Sequence, residues 1–132
     1  MFERSYTIRM RDSDAAGLIY FAEQLRIAHE TFEEYLESIG VGFGRLLHEK
    51  DFVFPIVHAE SDYRAPLSVG DRLTIRLEVE RIGETSFTLR YALRREDGAE
   101  VGTVQTVHVA TSRTTRNKVP LPASIRELLT AL

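Results

Sequence analysis

Two aspartates that lie close together are the residues of this sequence best suited to chemistry. Asp12 and Asp14 begin the segment D-S-D-A-A-G-L-I-Y-F, residues 12–21. Aspartates in such a position can simply cap turns, because their carboxylates accept hydrogen bonds from nearby backbone N–H groups. A carboxylate held there can also attack a carbonyl carbon or activate a water molecule. The small residues at 15–17 would let a ligand approach the backbone closely.

An amphipathic helix is predicted directly after this segment, from about Tyr20 to Ile39. The first turn of a helix offers N–H donors without intrahelical partners and the positive end of the helix dipole. Such groups stabilise an oxyanion that develops on a carbonyl, so one acid and one helix end form a candidate acyl-transfer site. Gln24 and Arg26 fall on the polar face of this helix. Its apolar face contains Phe21, Leu25, Ala28, Phe32, Tyr35, Leu36 and Ile39.

Several other chemistries are excluded by composition and spacing. The 132 residues include no cysteine, so disulfides, thiolate zinc sites and cysteine nucleophiles are ruled out. The sequence contains no glycine-rich phosphate loop, and no serine lies in a nucleophile elbow. We therefore expect neither a metal nor a cofactor. The four histidines, His29, His48, His58 and His108, also lack metal-ligand spacing.

The charge distribution argues against nucleic acid and membrane as partners. The net charge is -3, and no apolar stretch approaches the roughly 20 residues that span a bilayer. Residues 1–60 carry a net charge of -5, whereas residues 61–132 carry +2. The second half could therefore contact an anionic ligand, although scattered surface charge gives the same balance. Without cysteine or an evident export signal, a cytoplasmic location is expected.

The remaining elements are predicted to form a sheet that packs on the helix. Alternating apolar residues indicate strands, and Gly83-Glu84 and Asp97-Gly98 indicate tight turns between antiparallel neighbours. One long helix is the natural cover for the apolar face of such a sheet. We expect a single α+β domain over residues 1–132, with five antiparallel strands wrapped around the helix. The predicted strands cover 2–11, 52–64, 73–80, 87–94 and 101–113, and a short helix covers 124–132.

Three segments resemble the hotdog-fold acyl-CoA thioesterases of the 4-hydroxybenzoyl-CoA thioesterase type. The first is D-S-D-A-A-G-L-I-Y-F, which matches the family's D-x-D, its small residues and its apolar run into the central helix. The second is Y-R-A-P-L-S-V-G-D at 63–71, and the third is K-V-P-L-P at 118–122. The resemblance extends nearly end to end and implies a hotdog fold, acyl-CoA as substrate and no separate cofactor.

The resemblance also assigns roles within the first segment. It places the catalytic carboxylate on Asp14, as nucleophile or as the base for water, and makes Asp12 a turn or positioning residue. The backbone N–H of Phe21 would polarise the thioester carbonyl, and Gly17 would line the thioester channel. Related members of broad specificity carry histidine where Phe21 stands here, so a mechanism that needs this histidine does not transfer.

One branch of the family is similar over further segments. F-V-F-P-I-V-H-A-E-S-D at 52–62 and T-V-H-V at 106–109 resemble the 1,4-dihydroxy-2-naphthoyl-CoA thioesterases of phylloquinone and menaquinone synthesis. An aromatic acyl group needs a flat apolar slot, and Phe52, Phe54 and Tyr63 could form its walls. His58 is then a candidate contact for the hydroxyl groups of the ring, or else a strand histidine satisfied by a neighbour.

A basic segment near the end of the last predicted strand is a candidate site for the phosphates of CoA. It contains Arg113, Arg116 and Lys118, and arginine forks suit phosphate. The same residues could be a solvated edge that resists sheet pairing. The resemblance further implies a homotetramer built from dimers, with each active site between two subunits. Alternative functions are hydrolysis of 4-hydroxybenzoyl-CoA or short acyl-CoA esters, and acyl-CoA binding without catalysis.

Overall fold

A five-stranded antiparallel sheet forms the body of the protein in the computed structural model, which describes residues 1–42, 44–46 and 50–132. The strands are β1 (Phe2–Thr7), β2 (Phe52–Val53), β3 (Ile56–Tyr63), β4 (Arg72–Ile82), β5 (Ser86–Arg95), β6 (Glu100–Val109) and β7 (Thr111–Ser112). Five of them form the sheet in the order β1-β4-β5-β6-β3, so β1 and β3 are the two edges. A separate pair, β2 and β7, joins Phe52 to Ser112.

Helix α1 (Phe21–Ser38) lies across the concave face of the sheet, and helix α2 (Ala123–Ala131) closes the chain. The alternation predicted for the late strands is confirmed, because every second residue from Leu73 to Leu77 in β4 and from Phe87 to Leu93 in β5 is buried. Burying these side chains supplies the main hydrophobic driving force of the fold. The architecture is the expected hotdog arrangement of a sheet around one helix. Its core includes Ile27, Phe32, Leu36, Ile75, Leu77, Phe87, Leu89, Tyr91 and Leu93.

The turns also follow the sequence predictions. Gly40 and Gly98 both adopt a positive φ, the first just after α1 and the second between β5 and β6. Glycine has no Cβ that would clash in this left-handed region, which is why it occurs at helix ends and tight hairpins. Pro55 separates β2 from β3, as its missing N–H predicts.

Three local predictions were wrong. The first strand ends at Thr7 rather than continuing to 11, because a short 3-10 turn at Met10–Asp12 follows, and Met10 is exposed. The last predicted strand divides into β6 and β7 on either side of Ala110. On α1, Gln24 is buried although its polarity placed it on the outer face.

Candidate active site

The segment 12–21 forms a loop whose two ends are joined by hydrogen bonds. At its base the N–H of Tyr20 donates to the carbonyl of Asp12 at 2.8 Å, and Ser13 pairs with Ile19. Nearer the tip the N–H of Asp14 donates to the carbonyl of Leu18 at 2.9 Å. Because α1 begins directly after this base, the loop holds the aspartates beside the helix N-terminus.

Asp14 presents its carboxylate to the outside of this loop. The residue is exposed, and its Oδ1 accepts a hydrogen bond from the N–H of Ala16 at 2.8 Å. Its carbonyl accepts the N–H of Gly17, which has a φ of +78°. No atom lies within 4 Å of where a Cβ on Gly17 would be, so the backbone conformation requires glycine and the space beside it is open.

Phe21 is the first residue of α1, and the helix start around it has no side-chain cap. The residue before it, Tyr20, is extended and makes no capping bond, so the amide of Phe21 keeps the unsatisfied character of a first-turn N–H. The carbonyl of Phe21 accepts a hydrogen bond from the hydroxyl of Tyr63 at the end of β3. The helix start is therefore fixed by β3 while its amide stays available.

Asp12 is oriented into the protein, in contrast to Asp14. It is completely buried, and its Oδ2 accepts hydrogen bonds from the Tyr6 hydroxyl at 2.7 Å and the Arg9 N–H at 2.8 Å. Its Oδ1 is 2.6 Å from Nη2 of Arg26. With no oxygen exposed for chemistry, Asp12 has the environment of a positioning residue.

The second sequence motif forms the support behind the loop. The N–H of Ile19 donates to the carbonyl of Leu67 at 2.8 Å, and Leu18 pairs with Ser68. Leu67 is buried, and Asp71 closes the support by accepting the N–H of Ser68 at 2.8 Å. The two motifs are thus two sides of one structure.

An open apolar cavity of about 330 Å³ lies beside this support. Leu18 and Tyr63 line it, and both are 40% or more exposed. Phe21, 63% exposed, adds a further apolar ring near the loop. Exposed apolar surface of this kind marks a place where a ligand or a partner binds. The other lining residues are Ile19, Arg64, Ala65, Pro66 and Leu67.

A buried glutamine anchors the first turn of α1 to the sheet. Nε2 of Gln24 donates to Oγ of Ser61 at 2.8 Å and to the carbonyl of Asp62 at 2.9 Å. Both hydrogens of the side-chain amide therefore have an acceptor, which compensates for the cost of burying the amide. Local sequence pattern does not reveal this contact, because the partners are 37 and 38 residues apart.

The structure places His58 on the other face of the sheet. Ser61 faces α1, and because side chains alternate along a strand, His58 faces away from the helix. The ring is exposed, and its Nε2 lies 3.8 Å from Oε2 of Glu60. Within one chain the structure does not bring His58 together with Asp14.

Arg113, Arg116 and Lys118 are exposed and form one turn after β7. The turn is held by Asp51, which accepts the hydroxyl of Thr114 at 2.7 Å. The turn follows the C-terminal end of β6, after Val109. Gly102, which contacts Gln24 in the first turn of α1, is near the N-terminal end of the same strand. At about 3.3 Å per residue the two ends of β6 are more than roughly 20 Å apart. A single chain therefore does not unite this turn with Asp14.

Two histidines stack in the aromatic core rather than forming a metal site. The ring of His108 is parallel to that of Phe87 at 4.7 Å, and His29 lies 6.4 Å away. Burial and the neighbouring His29 lower the pKa of His108 to about 4, so the ring is neutral. Among the described residues no group of three or more potential ligands could hold a metal ion. His48 lies outside the described residues.

The sequence matches a known family and several named proteins. The thioesterase-like superfamily profile matches residues 8–129. The chain belongs to this superfamily. It is 37% identical over 131 residues to the 1,4-dihydroxy-2-naphthoyl-CoA hydrolase of Rippkaea orientalis (strain PCC 8801 / RF-1), covering 98% of this chain and 95% of that protein. It is also 37% identical over 126 residues to the hydrolase of the same name from Prochlorococcus marinus (strain NATL2A), covering 90% and 81% of the two chains.

Structural comparison places the chain in the same superfamily. The crystal structure of a 1,4-dihydroxy-2-naphthoyl-CoA thioesterase from Synechocystis matches with a TM-score of 0.93 and 30% identity, covering 99% of this chain and 96% of that one. A Staphylococcus aureus protein in complex with CoA matches with a TM-score of 0.89 at 18% identity, which shows the shared fold. It covers 98% of this chain and 82% of that one. No helix in the described ranges has the length and apolar character needed to cross a membrane.

Proposed function

We propose that this superfamily member hydrolyses an aromatic acyl-CoA thioester, namely 1,4-dihydroxy-2-naphthoyl-CoA, to the free acid and CoA. The observation that carries this proposal is the exposed Asp14 carboxylate held beside the open first turn of α1. The substrate follows from the relatives that match nearly the whole chain and act on that compound. Such a product belongs to phylloquinone or menaquinone synthesis.

In the proposed mechanism the two parts of the loop act on one carbonyl. The N–H of Phe21 donates to the thioester oxygen and stabilises the charge that develops there. In one route Asp14 attacks the carbonyl carbon and the CoA thiolate leaves, after which water hydrolyses the acyl-aspartate anhydride to the free acid. In the other, Asp14 removes a proton from a water that attacks the carbonyl carbon, and the CoA thiolate leaves. Gly17 is proposed to line the channel, because the open space beside it admits the thioester. The reaction consumes water and requires no metal and no cofactor.

The acyl ring is proposed to bind over the apolar cavity beside Tyr63. The cavity lies next to the loop, so a ring attached to the carbonyl at Phe21 can cover it. Phe52 and Phe54 lie beyond the other end of β3, where their rings pack 5.1 Å apart, and neither lines this cavity. They are proposed as further walls only for a site that more than one copy forms. A contact between His58 and the ring hydroxyls requires a site formed by more than one copy, because His58 faces away from α1.

Assembly into dimers and then a homotetramer is part of the proposal. Strand β3 is an edge with its residues mostly exposed, including Ile56 and Val57 at 43% and 61%. Unpaired strand edges bind other strands, and an antiparallel pair of β3 strands would bring the opposite ends of two chains together. The basic turn with Arg113 would then approach the Asp14 loop of the second copy, where its charges can bind the phosphates of CoA.

The proposal describes one catalytic domain over residues 1–132 that acts in the cytoplasm. The match over residues 8–129 supports a single domain, and a chain without cysteine forms no disulfide. The partner is the acyl-CoA molecule, with no role for nucleic acid or a membrane. The net charge of -3 supports the first of these exclusions.

The test is a panel of acyl-CoA esters compared by kcat/KM, with free CoA as the measured product. We expect 1,4-dihydroxy-2-naphthoyl-CoA to exceed benzoyl-CoA, 4-hydroxybenzoyl-CoA and a short aliphatic ester by at least ~100-fold. A missing ring leaves apolar volume unfilled at ~1–3 kcal/mol per small group. His58→Ala should narrow the preference if the histidine contacts the ring hydroxyls.

The panel also separates the competing functions. Equal rates across the esters would contradict the role in quinone synthesis and leave a broader thioesterase. Binding of every ester without release of CoA would instead favour a non-catalytic acyl-CoA-binding protein.

A further inference from the structure

A group of charged side chains joins the base of the catalytic loop to the first turns of α1. We call it the Arg26 cluster, and it consists of Tyr6, Asp12, Glu23, Arg26 and Glu30. All three nitrogens of the Arg26 guanidinium are used in it. Nη2 bonds Asp12 at 2.6 Å and Tyr6 at 3.1 Å, Nη1 bonds Glu30 at 2.6 Å, and Nε bonds Glu23.

Arg26 supplies the positive charge that the buried Asp12 needs. A buried carboxylate is costly unless it is paired and hydrogen-bonded. Among the described residues, the second ion pair of Asp12 is with Arg11, whose Nε is 3.9 Å away on a side chain that is 74% exposed. Arg26 is closer and two-thirds covered, so it carries most of the compensation.

The acids of α1 hold the guanidinium in place. Partial burial alone would lower the pKa of Arg26. Its hydrogen bonds to Tyr6, Glu23 and Glu30 outweigh this effect and leave the pKa above its usual value, so the side chain is cationic. Burial raises the pKa of Glu30, and the bonds from Arg26 and Arg4 outweigh this, so that pKa lies below its usual value. Arg26 and Glu30 therefore face each other as a cation and an anion at neutral pH.

The position of the cluster links the two halves of the site. Asp12 is two residues before Asp14, and its own carbonyl accepts the N–H of Tyr20 at the start of α1. Arg26 lies five residues after Phe21 on the same helix. A shift of Arg26 or Asp12 would therefore move the carboxylate of Asp14 relative to the Phe21 amide.

We propose that Arg26 is a positioning residue for hydrolysis: through Asp12 it fixes the distance between the Asp14 carboxylate and the Phe21 N–H. This rests on the proposed thioesterase function. Arg26 itself touches no reacting atom. A misplacement of about 1 Å between reacting groups can lower a rate by about 100-fold, so even a small loss of order matters.

The experiment compares Arg26→Gln, Arg26→Lys, Asp12→Asn and the double variant of Arg26→Gln with Asp12→Asn. We expect Arg26→Gln to lower kcat by about 10- to 100-fold and to change KM by less than about threefold, as for an interaction that acts in the transition state. Arg26→Lys should recover most of kcat because it keeps the charge near Asp12. The double variant should be no slower than Arg26→Gln, because both changes break one connection.

Arg76→Gln is the matched control. Arg76 pairs with Glu3 at 3.3 Å on the outer face of the sheet, and about half of each side chain is exposed. The loss of this pair should leave kcat and KM unchanged. Losses that multiply in the double variant, a rise in KM alone, or a Lys variant as slow as the Gln variant would overturn the proposal.

Two further measurements keep the result clear. If Arg26→Gln does not fold, Asp12→Asn breaks the same connection from the other side. It should then lower kcat with little change in KM, whereas Arg26→Lys should keep most of kcat, and an Asp12→Asn enzyme with the wild-type kcat would overturn the proposal. If the wild-type chain releases no CoA from any ester, the proposed function fails. The Arg26–Asp12 connection is then tested by the same double-mutant cycle on the free energy of unfolding, where additive losses would disprove it.

Discussion

Gln24 and Gly102 are in such close contact that a Cβ on Gly102 would lie 2.5 Å from Nε2 of the glutamine. The same Cβ would lie 2.5 Å from the carbonyl oxygen of Asp62. Only a residue without a side chain lets the first turn of α1 approach β6 and β3 at this point. The glycine thereby permits the contact that fixes the helix N-terminus of the proposed site.

Gly102→Ala should therefore destabilise the protein, by about 2 kcal/mol or more, because the backbone oxygen of Asp62 cannot move aside cheaply. Chemical denaturation measures the change. Gly17→Ala is the comparison. Its Cβ would meet no atom, so only the φ of +78° is strained, and the free energy of unfolding should fall by about 1 kcal/mol. Equal losses at the two positions would contradict the close contact.

Asp14→Asn should lower kcat at least ~100-fold, the scale expected when a positioned base or nucleophile is lost. The melting temperature should stay near that of the wild type, because the side chain is exposed and asparagine can still accept the Ala16 N–H. Asp12→Asn should show the reverse pattern, with a clear loss of stability and a smaller loss of kcat. An active Asp14→Asn enzyme would remove this residue from catalysis.

Neutralising the basic turn should weaken substrate binding. The triple change Arg113→Gln, Arg116→Gln and Lys118→Gln is expected to raise KM for the CoA ester and leave kcat nearly unchanged, as when uniform binding is lost. The difference should shrink at high salt, where exposed charges are screened.

A control for the basic turn is available on the outer face of the sheet. Arg72→Gln, Arg76→Gln and Arg94→Gln remove the same charge from exposed positions. If both triple variants raise KM equally, the effect comes from net charge and the turn has no specific role.

The neutral His108 predicts a loss of stability in acid. Its pKa is about 4 in the folded protein against 6.5 for an ordinary histidine. Between pH 6.5 and 4 the unfolded chain therefore binds a proton at His108 that the folded chain does not. The free energy of unfolding is unaffected by this proton above pH 6.5 and decreases as the pH falls from 6.5 towards 4. The difference corresponds to about 3 kcal/mol.

Urea denaturation at pH 7.5 and 4.5 tests this prediction. His108→Gln should be less stable than the wild type at pH 7.5 but should lose less stability on acidification. His58→Gln is the matched control, because it removes the imidazole of an exposed histidine instead of the buried one. An unchanged acid loss in His108→Gln would assign the effect to other groups.

The sequence predicted those features that depend on local pattern. The periods of α1, β4 and β5 and the turns at Gly40 and Gly98 all follow from residue type and spacing. The burial of Gln24 could not be predicted in this way, because it depends on Ser61 and Gly102, which are distant in the sequence.

The orientation of His58 was hidden for a different reason. A β-bulge shifts the register between Ile56 and His58, so the alternation that the sequence shows does not continue unbroken along the segment. A one-residue shift moves every following side chain to the opposite face. The two aspartates show the same limit: their types suggested chemistry, but only the hydrogen bonds of Asp12 distinguish it from Asp14.

The hydroxyl of Tyr63 ends an exposed edge strand and at the same time bonds the first residue of α1. A molecule that covers this edge will therefore also affect the position of the first residue of α1. If a second β3 strand covers it, dilution that separates the copies will leave the strand that carries Tyr63 less ordered, and with it the start of α1. The turnover per protein molecule would then fall as the enzyme is diluted, and assays at nanomolar and micromolar protein would give different values of kcat.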